Sequence, residues 1–423
     1  MGDIEIAGVI ETEDGLTLRD VDVTLSDGSS INQVMTTGAD GLYNFPNLID
    51  GEDYVVTPFN NTEDLNGFTT FDLVLMTQHI LGVNELDSPY KIIAADINGD
   101  GKVTTSDVVR GRQLILFIIP SLSPDNTSWK FVPKDFIFTN PDDPFDQTIP
   151  QILSYPNIES DELNADFIAI KVGDLNNNVE TNLIGDDLDR SEKDPMYLMV
   201  DDVAVIKGET YTIDFKAKDF KEILGYQFTL EFDENKMQFA GIESGALEMT
   251  EGNFGLQLLE KGIITTSWNA LKANSIEDET ILFSLTFEAL DLFELKNAFE
   301  ISSRFTKSES YQQDGEHLEV ELLFEEKEIL FPISDGEFDL YSNRPNPFSN
   351  TTTIAFVLPD ASPVTMTIYD VAGKILKVIE GDYSKGYNEV YISKKDCGNA
   401  AGVLYCHLKA GNNSDIKKMI LID

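Results

Sequence analysis

The chain has 423 residues, 42% of them hydrophobic, and a formal net charge of −45. That length asks for about three domains rather than one core. The charge repels nucleic acid and anionic membranes and suits divalent cations, and with no run of about 18 apolar residues no segment reads as a transmembrane helix.

Residues 1–59 read as short strands. In "RDVDVTLSD", Val21, Val23 and Leu25 alternate with Asp20, Asp22 and Thr24, the period of a half-buried strand. "GADGLYNFPNL" turns at Asp40-Gly41 and then places Tyr43 and Phe45 two apart, and "GEDYVVTP" supplies a last strand. This order resembles carboxypeptidase-regulatory-like or CnaB-like domains. The resemblance implies a small β-sandwich that acts as a structural spacer.

From residue 60 the chain repeats itself at an offset of 35: "TTFDLVLMTQHIL" from Thr69 matches "TTSDVVRGRQLIL" from Thr104. Leu73, Met76 and Ile80 in one copy, and Val108, Leu114 and Ile115 in the other, fall at helical spacing. Ahead of the second copy stands "DINGDGKVTTSD", with Asp96, Asn98, Asp100, Lys102, Thr104 and Asp107 at positions 1, 3, 5, 7, 9 and 12. Calcium takes six to eight oxygens, and a twelve-residue loop supplies them from alternate positions. Here Lys102 offers its carbonyl, Gly101 permits the turn, and Asp107 closes the site from the following helix. The alternative is an acidic turn that caps a helix.

The first copy is damaged. Asn61, Glu63 and Asp72 fall at positions 1, 3 and 12, but Leu65 stands at position 5 and the glycine has slipped by one. Asp64 is the nearby replacement, and Asp174 in "VGDLNN" is a second residue able to complete a site. A calcium loop and a metal-free cap both remain open for this copy. Two such loop-and-helix units resemble a dockerin module, which implies bound Ca2+ and a partner for the apolar helix faces.

Residues 120–180 read as a wrap-around extension of that module, with strands at "SWKFVP" and "DFIAIKVGDLNN", and 181–194 as an acidic linker. Residues 195–333 return to alternation. In "YQFTLEF", Tyr226, Phe228, Leu230 and Phe232 face one way, as in a sandwich or jelly roll. "ILGYQFTLEFDENKMQFAGIESGAL" followed by "ILFSLTFEAL" resembles a cohesin domain, and cohesins are the usual partners of dockerins. Contact between the two within one chain is therefore expected.

Residues 342–423 carry "NRPNPFSNTTTIAFVLP", "VTMTIYDVAGKILKVI", "KGYNEVYI", "AAGVLYCHL" and "KKMILID". That ordered set resembles the C-terminal sorting domain of type IX secretion. The resemblance implies recognition by the outer-membrane export machinery and a protein that is secreted or held on the cell surface. Such a domain needs prior passage to the periplasm. "MGDIEIAGVI" lacks a basic start and a long apolar stretch, so upstream sequence is expected.

Cys397 and Cys406 are too few for a disulfide scaffold or a four-cysteine zinc site. They are expected as a disulfide in one core, with two buried free thiols as the alternative. His79, His317 and His407 are far apart, and no nucleophile–base set is apparent. Trp129 and Trp268 read as core residues. The reading is a mainly β, multidomain chain: three β-sandwich-type domains with a small helical dockerin-like calcium module. It divides into 1–59, 60–180, 195–333 and 342–423. Its expected role is that of a non-enzymatic region of an exported surface protein. The alternative is an accessory carbohydrate-binding region of a polysaccharide-degrading enzyme.

Overall fold

The computed structural model describes residues 4–27, 31–182, 194–205, 208–291, 293–313, 315–326, 338–398 and 401–422. Nearly all of the expected linker at 181–194 lies outside the described residues. The chain divides into two compact units, 1–327 and 328–423. Strands dominate both, as the alternating patterns require. Among the described residues no helix is long and apolar enough to cross a membrane.

The first unit begins with two four-stranded sheets. One runs Leu42–Leu48, Ile4–Glu11, Phe167–Lys171, Trp129–Pro133, and the other Ile31–Thr36, Asp22–Ser26, Tyr54–Phe59, Leu153–Tyr155. Val21, Val23, Leu25, Tyr43 and Phe45 fill the core between them, as their spacing predicts. The sandwich does not stop at residue 59. Three of its eight strands come from the 120–180 segment that the sequence reading attached to the calcium module. The reason lies in "FIAIK". Phe167 and Ala169 enter the sandwich core, whereas Ile168 and Ile170 enter a second core on the other face. A strand apolar on both faces lacks the alternation that marks a surface sheet.

That second core belongs to three helices: α1 (Thr70–Ile80), α2 (Pro89–Ala95) and α3 (Thr105–Ile115). The repeat predicts α1 and α3. Helix α2 was not foreseen; Ser88 caps it and Pro89 stands at its first turn. Phe68, Leu73, Met76, Ile93, Ile97, Leu114 and Ile115 pack with Ile168 and Ile170. Gly111 lets α3 approach α1 and the turn before it closely: a Cβ there would lie 2.7 Å from the Phe68 ring and 3.0 Å from the Leu73 side chain.

Residues 196–326 form a ten-stranded sheet folded around an aromatic core. Its first strand, Met196–Asp202, pairs in parallel with its last, His317–Glu326. Tyr226, Phe228 and Leu230 point inward with Ile264 and Trp268, and Phe215 stacks on Phe283 at 4.7 Å between centroids. Trp129 and Trp268 are both core residues, as expected.

The second unit has a three-stranded sheet (Asp339–Leu340, Thr351–Leu358, Gly386–Ser393) and a four-stranded one (Ile375–Tyr383, Ser362–Asp370, Gly402–Ala410, Asn413–Leu421). Asn346-Pro347-Phe348 clasps the terminal strand. Asn346 donates to the Lys418 carbonyl and accepts from the Ile420 amide, Phe348 exchanges backbone bonds with Ile420 and Ile422, and its ring is buried. Cys397 and Cys406 lie in this core as free thiols, so the expected bridge is not formed. Burial pushes the Cys406 thiol up to about 12 and also raises that of Cys397. Each therefore packs as a small protonated hydrophobe.

Candidate functional site

The loop before α3 folds around its own acids. Asp96 follows the last residue of α2, and Asp107 sits in the first turn of α3, so the helices hold the two ends. Asp96 Oδ1 accepts the Asp100 amide at 3.0 Å and Oδ2 the Gly101 amide at 2.9 Å. Asp107 Oδ1 accepts the Asn98 amide and Oδ2 the Thr104 amide. Asn98 contacts Asp100 through both its side-chain oxygen and nitrogen. Buried Asn126 donates to the carbonyls of Asp96 and Ile97 and fixes the loop from behind. Burial raises the Asp96 pKa, and the negative charges of Asp107 and Asp100 add to it.

Thr104 accepts from Ser106 and forms a capping box with Asp107, so its hydroxyl serves the helix end. Lys102 is exposed. Among the described residues no three His, Cys, Asp or Glu form a ready-made metal cluster. The donors of this loop are Asp and Asn oxygens together with backbone carbonyls, the hard set that calcium takes.

The first copy is arranged otherwise. Asn61 accepts the Ser128 amide, and Glu63 accepts the Asn66 side chain. The almost wholly buried Lys171 ammonium donates to the carbonyls of Asp64 and Ser128. Burial lowers its pKa to about 8. Asn61, Glu63 and Asp64 thus have separate partners, and a lysine lies against the segment for which a calcium loop and a metal-free cap were both open.

Asp72 caps α1 in a box with Thr69 and also faces another loop. Its Oδ2 accepts the Thr69 amide at 2.8 Å and its Oδ1 the Leu175 amide at 2.9 Å. Asp174 Oδ1 accepts the amides of Asn176 and Asn178, and Oδ2 that of Val179. These are the same offsets, four and five residues on, that Asp96 uses. Both helix-borne acids also take the amide of the threonine three residues before them. Burial, and then the charge of Asp174, raises the Asp72 pKa. The two halves of this loop lie about a hundred positions apart, so repeat matching alone did not join them.

Helices α1 and α3 rest on the large sheet. Its strands Ile223–Phe232 and Ile263–Asn274 turn Gly225, Gln227, Thr229, Thr265, Ser267 and Asn269 away from the aromatic core, and α1 together with the C-terminal end of α3 covers this polar face. At the start of α1 the Thr70 amide donates to Gln227 at 2.7 Å, and its hydroxyl meets that of Ser267 at 2.7 Å. At the end of α3 the carbonyls of Ile115 and Leu116 accept the hydroxyls of Thr306 and Thr265, each at 2.6 Å. Arg112 donates to Asn269. Helix ends carry backbone groups with no partner inside the helix, and the sheet supplies those partners. Two aromatic pairs flank this centre: Phe71 stacks on Tyr311 at 5.6 Å, and Phe117 meets Phe305 edge-on at 5.2 Å.

The comparisons with known proteins fall on the sheet and on the second unit. Residues 196–328 match the family described as Cohesin domain, and residues 344–422 the family described as Secretion system C-terminal sorting domain. Similar solved structures include the sixth cohesin of Acetivibrio cellulolyticus scaffoldin B, solved in complex with a mutant Cel5 dockerin. It is 14% identical, with a TM-score of 0.25 over 32% of this chain and 100% of that one. A type I cohesin–dockerin complex from Clostridium thermocellum gives 16% identity and a TM-score of 0.25, covering 33% and 100%. The type II cohesin dyad of the Acetivibrio cellulolyticus ScaA scaffoldin gives 12% and 0.24, covering 52% and 88%. No curated protein matches the chain. Both matched families are non-catalytic modules, and a sorting domain of this kind marks export to the cell surface or secretion. The chain therefore carries a cohesin domain at residues 196–328 and a type IX secretion C-terminal sorting domain at residues 344–422.

Proposed function

We propose that the chain is a non-enzymatic part of an exported surface protein, in which a dockerin-like calcium module within residues 60–180 is seated on the cohesin domain. Residues 1–59, with the strands they share with 129–171, act as a regulatory-like β spacer. The observation that carries this reading is the contact of α1 and α3 with the cohesin sheet, made through the helix ends. The proposed calcium positions are Asp96, Asn98, Asp100 and Asp107, and by the matching bond pattern Asp174, Asn176, Asn178 and Asp72. Buried carboxylates facing one another cost energy, and a bound cation offsets that repulsion. The metal would fix both loops, and with them the helices.

The test is thermal unfolding of the whole chain in calcium and in chelator, for wild type, Asp96→Ala with Asp107→Ala, and Asp174→Ala. Calcium at a hundredfold excess over its Kd stabilises by about 2.7 kcal/mol per site. The expected result is a calcium-dependent rise that shrinks in each variant. A wild-type transition unmoved by chelator overturns the calcium reading.

A further inference from the structure

We infer that the cavity between α2, the strand Trp129–Pro133 and residues 144–151 is a binding site for a small organic acid. The carboxylate of that acid meets Lys130 and the Gln147 amide, and its apolar body fills the rest. The inference goes beyond the calcium and cohesin readings and depends on neither.

The strand supplies the cation. Trp129 and Phe131 enter the sandwich core, and Val132 enters the helical core on the other face. Side chains alternate along a strand, so Lys130 shares a face with Val132, and an ammonium stands where an apolar residue would pack. Lys130 is half-buried, and among the described residues no hydrogen bond or ion pair holds it. Burial lowers its pKa, while the charge of Asp96 works the other way.

Lys130 lines a cavity of about 220 Å³. One water takes a share of about 30 Å³ in the liquid, so this space is far larger than a single-water void. Its apolar walls are Ile93 of α2, Val132, Phe145 and Ile149. Gln147 stands among them. Its Oε1 accepts the Thr139 hydroxyl at 3.0 Å, which fixes the amide, and its buried Nε2 has no partner among the described residues. A buried donor without an acceptor and a desolvated ammonium without an anion both cost stability, and one ligand satisfies both. Asp96 also lines the cavity, but its two oxygens accept the Asp100 and Gly101 amides, so they are engaged by the loop.

The open groups are therefore two donors, one of them cationic, beside apolar walls. A carboxylate has an oxygen for each donor, whereas an amine would be repelled by Lys130. Mostly apolar walls with a few placed polar groups are the usual make-up of a small-molecule site. The volume restricts the body of the acid to a branched aliphatic chain or a single ring.

The test titrates the full-length protein with phenylacetate and with isovalerate, each compared with its primary amide, by calorimetry and ligand-observed NMR. The expected result is saturable 1:1 binding of at least one acid and at least tenfold weaker binding of its amide. Lys130→Met keeps a long apolar stem and removes the charge. Gln147→Glu keeps the acceptor for Thr139 and replaces the free donor by an anion. Each is expected to weaken the acid at least tenfold, with circular dichroism establishing that the variant is folded. Should either fail to fold, Ile149→Trp fills the cavity from a half-buried wall and is expected to abolish binding. The site is overturned if neither acid binds below about 10 mM, if the amide binds as tightly as the acid, or if the folded variants bind like wild type.

Discussion

The Thr265 hydroxyl donates to the Leu116 carbonyl at 2.6 Å, across 149 positions of sequence, and closes the last turn of α3 against the cohesin sheet. Thr265→Val keeps the shape and leaves that buried carbonyl without a donor, at about 1–3 kcal/mol. The expected outcome is a lower denaturation midpoint and faster amide exchange at the end of α3. Gly255→Ala is expected to cost more, because its Cβ meets the same carbonyl and the backbone has to shift. Unchanged exchange at the end of α3 in both variants counts against the contact.

Lys171 gives a pH signature. The unfolded lysine holds its proton up to about 10.5, whereas burial brings the folded value down to about 8. Between those values the unfolded chain binds more protons, so stability rises with pH. Against Lys171→Met, wild type is expected to gain stability from pH 8 towards 10.5, by roughly 3 kcal/mol at most. Parallel stability curves for the two proteins would show that the ammonium is not buried as described.

The thiols give a chemical one. Burial holds both in the protonated form, with Cys406 pushed up to about 12. The native protein is expected to resist iodoacetamide at neutral pH and to take two equivalents after unfolding without reductant. A mass that stays unlabelled until reductant is added indicates a bridge instead.

Asn346 links the sorting domain's first motif to its last. Asn346→Ala loses one bond to Lys418 and one to Ile420, at about 1 kcal/mol each. The last strand is expected to become sensitive to carboxypeptidase. A reporter carrying residues 342–423 behind a signal peptide is expected to reach the surface of a type IX-competent host, and less of it with Asn346→Ala. Equal delivery by both tails would show that this clasp does not matter for export.

Some of this was legible in the chain and some was not, for physical reasons. "YQFTLEF" shows its inward row because Tyr226, Phe228 and Leu230 alternate cleanly. Its other row, Gly225, Gln227 and Thr229, looks like a solvent face, and only the helix ends reveal why small polar residues are buried there. The Asp96 loop is contiguous and could be read directly. The Asp72–Asp174 pairing joins a helix to a loop about a hundred positions on; no local period reports it, and only the acid of "VGDLNN" marked Asp174 as able to complete a site. The strands at 129–133 and 167–171 were visible as strands, but not as parts of the first sandwich, because apolar residues on both of their faces hide which core each serves.

The first strand of that sandwich has a further consequence. Val9 donates to Asp166, 157 positions later, and Ile10 pairs beside Phe167. A ribosome adding roughly 5–20 residues per second needs on the order of ten to thirty seconds between them. For that interval the strand Ile4–Glu11 has one edge without its final neighbour, and an unpaired edge is where wrong partners add. Assembly of the sandwich is therefore gated by the arrival of a distant strand, and the intervening helices must settle without obstructing it. A chain that pauses between residues 59 and 167 exposes this edge for longest, and synonymous changes that alter the pause should alter the yield of folded protein while leaving the sequence unchanged.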